Sequence, residues 1–287
     1  CSGPSERAWH FKAARGIAAF MSDGPNKSYG RRTISATVQP RELVSDRPRL
    51  KGAWTAKIRT LAPEAYPGQL GVSLVGRALQ DGKWALEPID LRRFGEGKHR
   101  NVDDTPSGGG AGMVLRADVM GRAITFAQRN ASPDRTKWPL IYLSPRGKRL
   151  DQAMAARFAA CDGITLIAGR FEGLDQRGID HFEIEEVSLG DFVMTGGDIA
   201  AEALIDATVR LRDGVLGNAD STQEESFSDG TLEHPQFTRP AIWEGREIPA
   251  VLTSGDHGKV DAWRRAASDK ITRERRPDLI SKETPEK

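Results

Sequence analysis

Three apolar runs in the middle of this chain share one kind of ending, and that ending constrains the fold more than any other feature. The first, Ile141-Tyr142-Leu143, passes into Ser144-Pro145-Arg146-Gly147. The second, Ile164-Thr165-Leu166-Ile167, runs into Ala168-Gly169-Arg170-Phe171-Glu172-Gly173. A third turn, Ser188-Leu189-Gly190-Asp191-Phe192-Val193-Met194-Thr195-Gly196-Gly197, is glycine-rich as well. Apolar runs bounded by such turn formers read as buried strands. Strands that end alike predict neighbours whose C-terminal ends converge on one ligand. Glycine at those ends lets the backbone approach a flat or phosphate-bearing molecule closely. A binding cleft is the expectation.

The flanking segments fill in the fold class. Residues 54–60 alternate apolar and polar side chains, as a half-buried strand does. Residues 63–79 combine turn formers with a helix-compatible stretch. Residues 151–161 read as a helix capped by Asp151, with Met154, Phe158 and Cys161 on one face. Residues 198–211 read as another, with Ala201, Leu204, Ile205 and Thr208 on one side. Alternation of strand and helix predicts an α/β fold with a mostly parallel, covered sheet. The polar loop at 95–113 contains Gly108-Gly109-Gly110, but no Gly-Lys-Ser/Thr follows, which excludes a phosphate-cradling P-loop.

Composition narrows the class further. Lys and Arg number 42 against 40 Asp and Glu, so any nucleic-acid binding must rest on local patches. The cysteines are Cys1 and Cys161, too few for a disulfide framework, and a reduced, cytoplasmic protein is expected. The histidines are scattered without metal spacing, so no metal site is predicted. No apolar run is long enough to cross a bilayer. Four segments are expected: a disordered extension or misassigned start at 1–50, a ligand-binding domain at 51–213, a flexible linker at 214–230, and a small helical domain at 231–287.

Nine pieces taken in order resemble one known family: residues 99–104, 108–113, 142–147, 169–173, 188–197, 214–217, Glu225-Ser226-Phe227, Thr238-Arg239-Pro240 and Arg275-Arg276-Pro277. Together they look like the bacterial tRNA (guanine-N1)-methyltransferases, the TrmD group of the SPOUT superfamily. The resemblance implies a SPOUT-type sheet with a deep trefoil knot, which physical reading alone would not suggest because threaded chains are so rare. It implies a homodimer with a shared site, the linker and C-terminal domain of one subunit helping to hold the tRNA on the other. The implied reaction moves a methyl group from S-adenosyl-L-methionine to N1 of the guanosine just 3′ of the anticodon. Magnesium is implied as an aid to proton removal.

That chemistry needs a base for the N1 proton and a cation for the charge that spreads to O6. The resemblance places the base at Glu225 and the cation at Arg210. Cofactor contacts carry over to Tyr142, Leu143, Ser144, Pro145 and Gly147, then Gly169, Arg170 and Glu172. The third loop adds Leu189, Gly190, Asp191, Phe192, Val193, Met194, Gly196 and Gly197. On the tRNA side they fall at Phe171, which would stack on the target base, and at Asp103, Gly112, Ser226 and Arg239. Without the resemblance, Glu225 and its neighbour Glu224 read as solvated linker acids, and Phe171 as a core aromatic. The chain departs from the family at Glu225 (usually Asp), Phe171 and Ser107 (usually Tyr) and Ala200 (often Pro). Two alternatives stand beside the main reading: a catalytically weak RNA-binding relative, and a knotted enzyme that methylates ribose oxygen.

Overall fold

The computed structural model describes residues 52–216 and 225–280. The expectations for residues 1–50 and Glu224 lie outside them, as does part of the 214–230 linker. Strand β1 (Trp54–Thr60) leads through two 3-10 turns to helix α1 (Ser73–Gln80) and strand β2 (Trp84–Asp90). Short strands β3 (Asp103–Asp104) and β4 (Val114–Leu115) pair antiparallel ahead of helix α2 (Ala117–Gln128). Then follow β5 (Leu140–Arg149), α3 (Gln152–Ala159), β6 (Gly163–Ile167), α4 (Gln176–Phe182), β7 (Glu185–Ser188) and α5 (Asp198–Val209). After residue 225 come the hairpin of β8 (Ile242–Trp243) and β9 (Arg246–Glu247), then α6 (His257–Arg275) and α7 (Pro277–Ile280).

The long strands form one parallel sheet in the order β2-β1-β6-β5-β7. Parallel strands need crossovers, and the crossover helices cover both faces. One core cluster joins Trp54, Ile58, Phe158, Leu166, Leu204 and Ile205. The other joins Leu115, Met120, Ile124, Tyr142, Ile167 and Ile179 on the opposite face. Helix α3 begins as expected, Asp151 accepting from the Met154 amide at 2.8 Å. Along α5, Ala201, Leu204, Ile205 and Thr208 are all buried.

Two expectations need correction. Strand β1 is not half buried, because every one of its residues is enclosed. It lies between β2 and β6 with helices on both sides, so its polar residues are covered too. Lys57 Nζ donates to the Ala127 carbonyl at 2.6 Å and sits 5.0 Å from the Trp138 ring centre. Arg59 lies 6.0 Å from the Phe126 ring, and burial lowers its pKa to about 10. The first apolar run also does not end at Ser144-Pro145. Strand β5 continues to Arg149, with Leu143 and Lys148 both opposite Val187, so residues 144–147 bulge out of the ladder between them. Pro145 has no N–H to give a ladder, which favours leaving it there.

Candidate active site

The C-terminal ends of β6, β5 and β7 are neighbours, and their loops enclose a cleft of about 350 Å³. From the first loop Tyr142, Leu143, Ser144 and Pro145 line it, and from the second Gly169, Arg170 and Glu172. The third loop contributes Leu189, Gly190, Phe192, Val193, Met194, Gly196 and Gly197. Gly147 and Asp191 fall outside that lining. Gly147 instead lies against the backbone of Glu186 and Val187, where a side chain would collide with main chain. Arg146 and Thr195 also line the cleft and were not singled out as contacts from the sequence, and Ala200, noted there as a departure from the family, lines it too. Arg146 sits in a turn whose glycine and proline dominate the reading, and its charge pairs with Glu186 at 3.2 Å.

Close backbone contact holds the loops together. The Gly197 amide donates to the Gly169 carbonyl at 2.8 Å. A Cβ on Gly197 would stand 2.9 Å from Ala168 Cα and 3.0 Å from the Gly169 nitrogen, so any side chain would push the loops apart. In the third loop, Ser188 Oγ donates to the Gly190 carbonyl at 3.0 Å and accepts from its amide at 3.1 Å. Phe171 is no core aromatic: it is 53 % exposed, lines the cleft and takes a left-handed backbone with φ 63°. A bulky residue in that region is uncommon and marks local strain.

The segment expected to meet RNA is stitched to the same place. The Glu172 amide donates to the Met113 carbonyl at 2.9 Å, and the Leu115 amide to the Gly173 carbonyl at 2.8 Å. Asp103 pairs with Leu115 across β3 and β4, and Gly112 packs against the Glu172 side chain. Asp103, Gly112 and Phe171 are therefore brought to one side of the cleft.

Arg210 and Glu225 are brought together as well, but elsewhere. Arg210 follows directly on α5, and its Nη1 donates to Glu225 Oε2 at 2.6 Å while Nη2 donates to Oε1. This is the bidentate fork that guanidinium and carboxylate favour. The hydrogen bonds from Arg210 hold the Glu225 carboxyl below the usual range, and Glu225 in turn raises the Arg210 pKa. Helix α5 separates this pair from the glycine turn at its other end by about 18 Å at 1.5 Å per residue. Glu225 lines a different cleft, with Asp229, Ser268 and residues of α6. Ser226 Oγ accepts from the Glu233 amide at 2.9 Å, and Arg239 is exposed on the C-terminal segment.

The cleft and the ion pair both fall inside a single family match. A family model described as tRNA (Guanine-1)-methyltransferase TrmD matches residues 55–282. The chain belongs to this family. Among similar proteins, the tRNA (guanine-N(1)-)-methyltransferase of Ruegeria sp. (strain TM1040) is 66% identical over 236 residues, 82% of this chain and 96% of its own. That of Ruegeria pomeroyi is 67% identical over 232 residues, covering 81% and 94%. That of Mesorhizobium japonicum is 57% identical over 225 residues, covering 78% and 95%. Membership in the TrmD family makes the chain an enzyme, and a methyltransferase requires a methyl donor.

Proposed function

We propose that this chain methylates N1 of the guanosine just 3′ of the anticodon of tRNA, with S-adenosyl-L-methionine as donor. The observation that carries the reading is the convergence of three glycine-bearing loops on one cleft beside the strap of residues 103–115. The cleft suits such a donor. Its volume is within the range of small-ligand sites, Leu143, Leu189 and Val193 offer apolar wall, and Arg170 offers a cation for a carboxylate. When bound, the donor supplies a methyl group on a positively charged sulfur, already a good leaving group.

The remaining work belongs to side chains. Glu225 takes the proton from N1, and Arg210 stabilises the negative charge that spreads to O6. Their mutual ion pair must open for this, and guanine offers both partners a replacement: an N–H for the carboxylate and O6 for the guanidinium. Phe171 stacks on the target base from the cleft mouth, while Asp103, Gly112, Ser226 and Arg239 contact the tRNA. Because the pair stands at the far end of α5, the site is completed by a second copy in a homodimer, one copy giving the donor cleft and the other Arg210 and Glu225. The deep trefoil knot, the 51–213, 214–230 and 231–287 division, and action in the cytoplasm belong to the same proposal. Among the described residues no helix is long and apolar enough to cross a membrane. Among the described residues Glu172 is the single carboxylate on the cleft wall, so a magnesium ion would draw most of its oxygen ligands from elsewhere, and no step is routed through one.

The test is methyl transfer to an unmodified tRNA transcript and to one with that guanosine replaced. Transfer that depends on the guanosine and lands on N1 supports the proposal. Binding without transfer, or a methyl group on ribose, overturns it.

A further inference from the structure

One carboxylate beside the cleft has no place in the reaction above, yet three side chains converge on it. Asp198 opens α5 and is 8 % exposed. Its Oδ1 accepts from Thr60 Oγ1 at the end of β1 and from the Tyr66 hydroxyl at 3.1 Å. Its Oδ2 accepts from Arg170 Nη2 at 3.3 Å. A charge this enclosed is stable only when paired and hydrogen-bonded, and Asp198 gathers its partners from two distant parts of the chain, residues 60–66 and Arg170. Burial, and then the Asp198 charge, push the Tyr66 hydroxyl far above its ordinary pKa, so Tyr66 stays a donor.

Arg170 is held from the other side too. A Cβ on Gly196 would lie 3.2 Å from Arg170 Cγ and 3.3 Å from Nε, so the side chain rests against bare backbone. Arg170 Nε is enclosed and has no hydrogen-bond partner among the described residues, although Arg170 lines the cleft. A guanidinium carries five N–H donors in a rigid fork, and Asp198 engages only one of its nitrogens.

We infer that Asp198 is a positioning residue, fixing the Arg170 guanidinium before any ligand arrives so that its remaining donors meet an anionic oxygen group in the cleft. That group is either the donor's carboxylate or an RNA phosphate, since a guanidinium fork fits both. The inference rests on the proposed methyl transfer and adds a residue to it.

Asp198→Asn separates the contacts. The amide oxygen still accepts from Thr60 and Tyr66, while the amide nitrogen cannot accept from Arg170. The variant should raise one KM on the order of tenfold, with kcat and thermal stability near wild type. A rise for the methyl donor identifies the carboxylate, and a rise for tRNA the phosphate. Arg170→Ala should show the same rise, and the double variant no more than Arg170→Ala alone. Asp198→Glu, which keeps the charge, should recover part of the loss. Both KM values at wild type in Asp198→Asn, or additive effects in the double variant, overturn the inference. If Asp198→Asn does not fold, nitrogen-15 relaxation at Arg170 Nε in the ligand-free wild type decides. An ordered guanidinium supports positioning, and motion like that of a free arginine overturns it. Wild type that neither binds S-adenosylhomocysteine nor transfers methyl would remove the functional reading, a result distinct from these.

Discussion

Glu225 is held ready and held back by the same partner. Its fork with Arg210 keeps it ionised, which a base needs, but also occupies both of its oxygens. Glu225→Gln should therefore lower turnover by roughly 10²-fold or more, the usual contribution of a general base. Affinity for S-adenosylhomocysteine, read by calorimetry, should stay within about twofold, because the donor loops lie at the other end of α5. The sign of the pH dependence follows from the lowered pKa. The ion pair's contribution is complete above the ordinary glutamate range and is lost as pH falls through the depressed value. In the pH profile of kcat/KM, the acidic limb should lie below the ordinary glutamate range, and Arg210→Gln should move it to higher pH. A limb that does not move would place the base elsewhere. The sequence offered Glu224 as a rival to Glu225, and Glu224 lies outside the described residues; position along a polar segment could not have chosen between two adjacent acids.

At the scale of the elements, the three loops were legible because turn formers follow each apolar run, although the first set makes a bulge within β5 and not its end. Their adjacency in space was not certain from order alone, since β6 is inserted between β1 and β5 in the sheet. The meeting of Gly197 with Ala168 and Gly169 depends on that arrangement. Gly197→Ala should force the second and third loops apart and weaken S-adenosylhomocysteine binding by about tenfold or more, measured by calorimetry, since the obstructing atoms are backbone. What alternation hid was the enclosure of β1, because Lys57 and Arg59 imitate a solvent face while α2 covers them. Trp54, fully enclosed with its Nε1 donating to the Phe158 carbonyl at 3.0 Å, supports that strand from the opposite face. Trp54→Ala should cost about 3–5 kcal/mol in a denaturant titration. Arg59→Met, which exchanges a buried charge for an apolar side chain of similar length, should leave stability unchanged or raise it.

For the whole molecule, the separation of the donor cleft from Arg210 and Glu225 is the fact with the widest reach. Neither the apolar periodicity nor the turn chemistry says whether the cleft and the ion pair that serve one site belong to one copy or to two. If the halves come from different copies, a Gly197→Trp homodimer, its cleft loops forced apart, and a Glu225→Gln homodimer each lose their activity for different reasons. After subunit exchange in an equal mixture, half the dimers are mixed and one of their two sites is intact, so about a quarter of wild-type turnover should return. No recovery, despite exchange shown by mass spectrometry, would mean that each copy builds its site alone. The detour in β5 has a consequence of its own. Leu143 and Lys148 face the same residue of β7, so the intervening turn is a stitch whose two ends are pinned to one point. Residues could be added to or trimmed from that stitch without sliding any strand past its neighbour. Ligand fit at this edge could then drift over evolutionary time while the scaffold beneath it stays as it is.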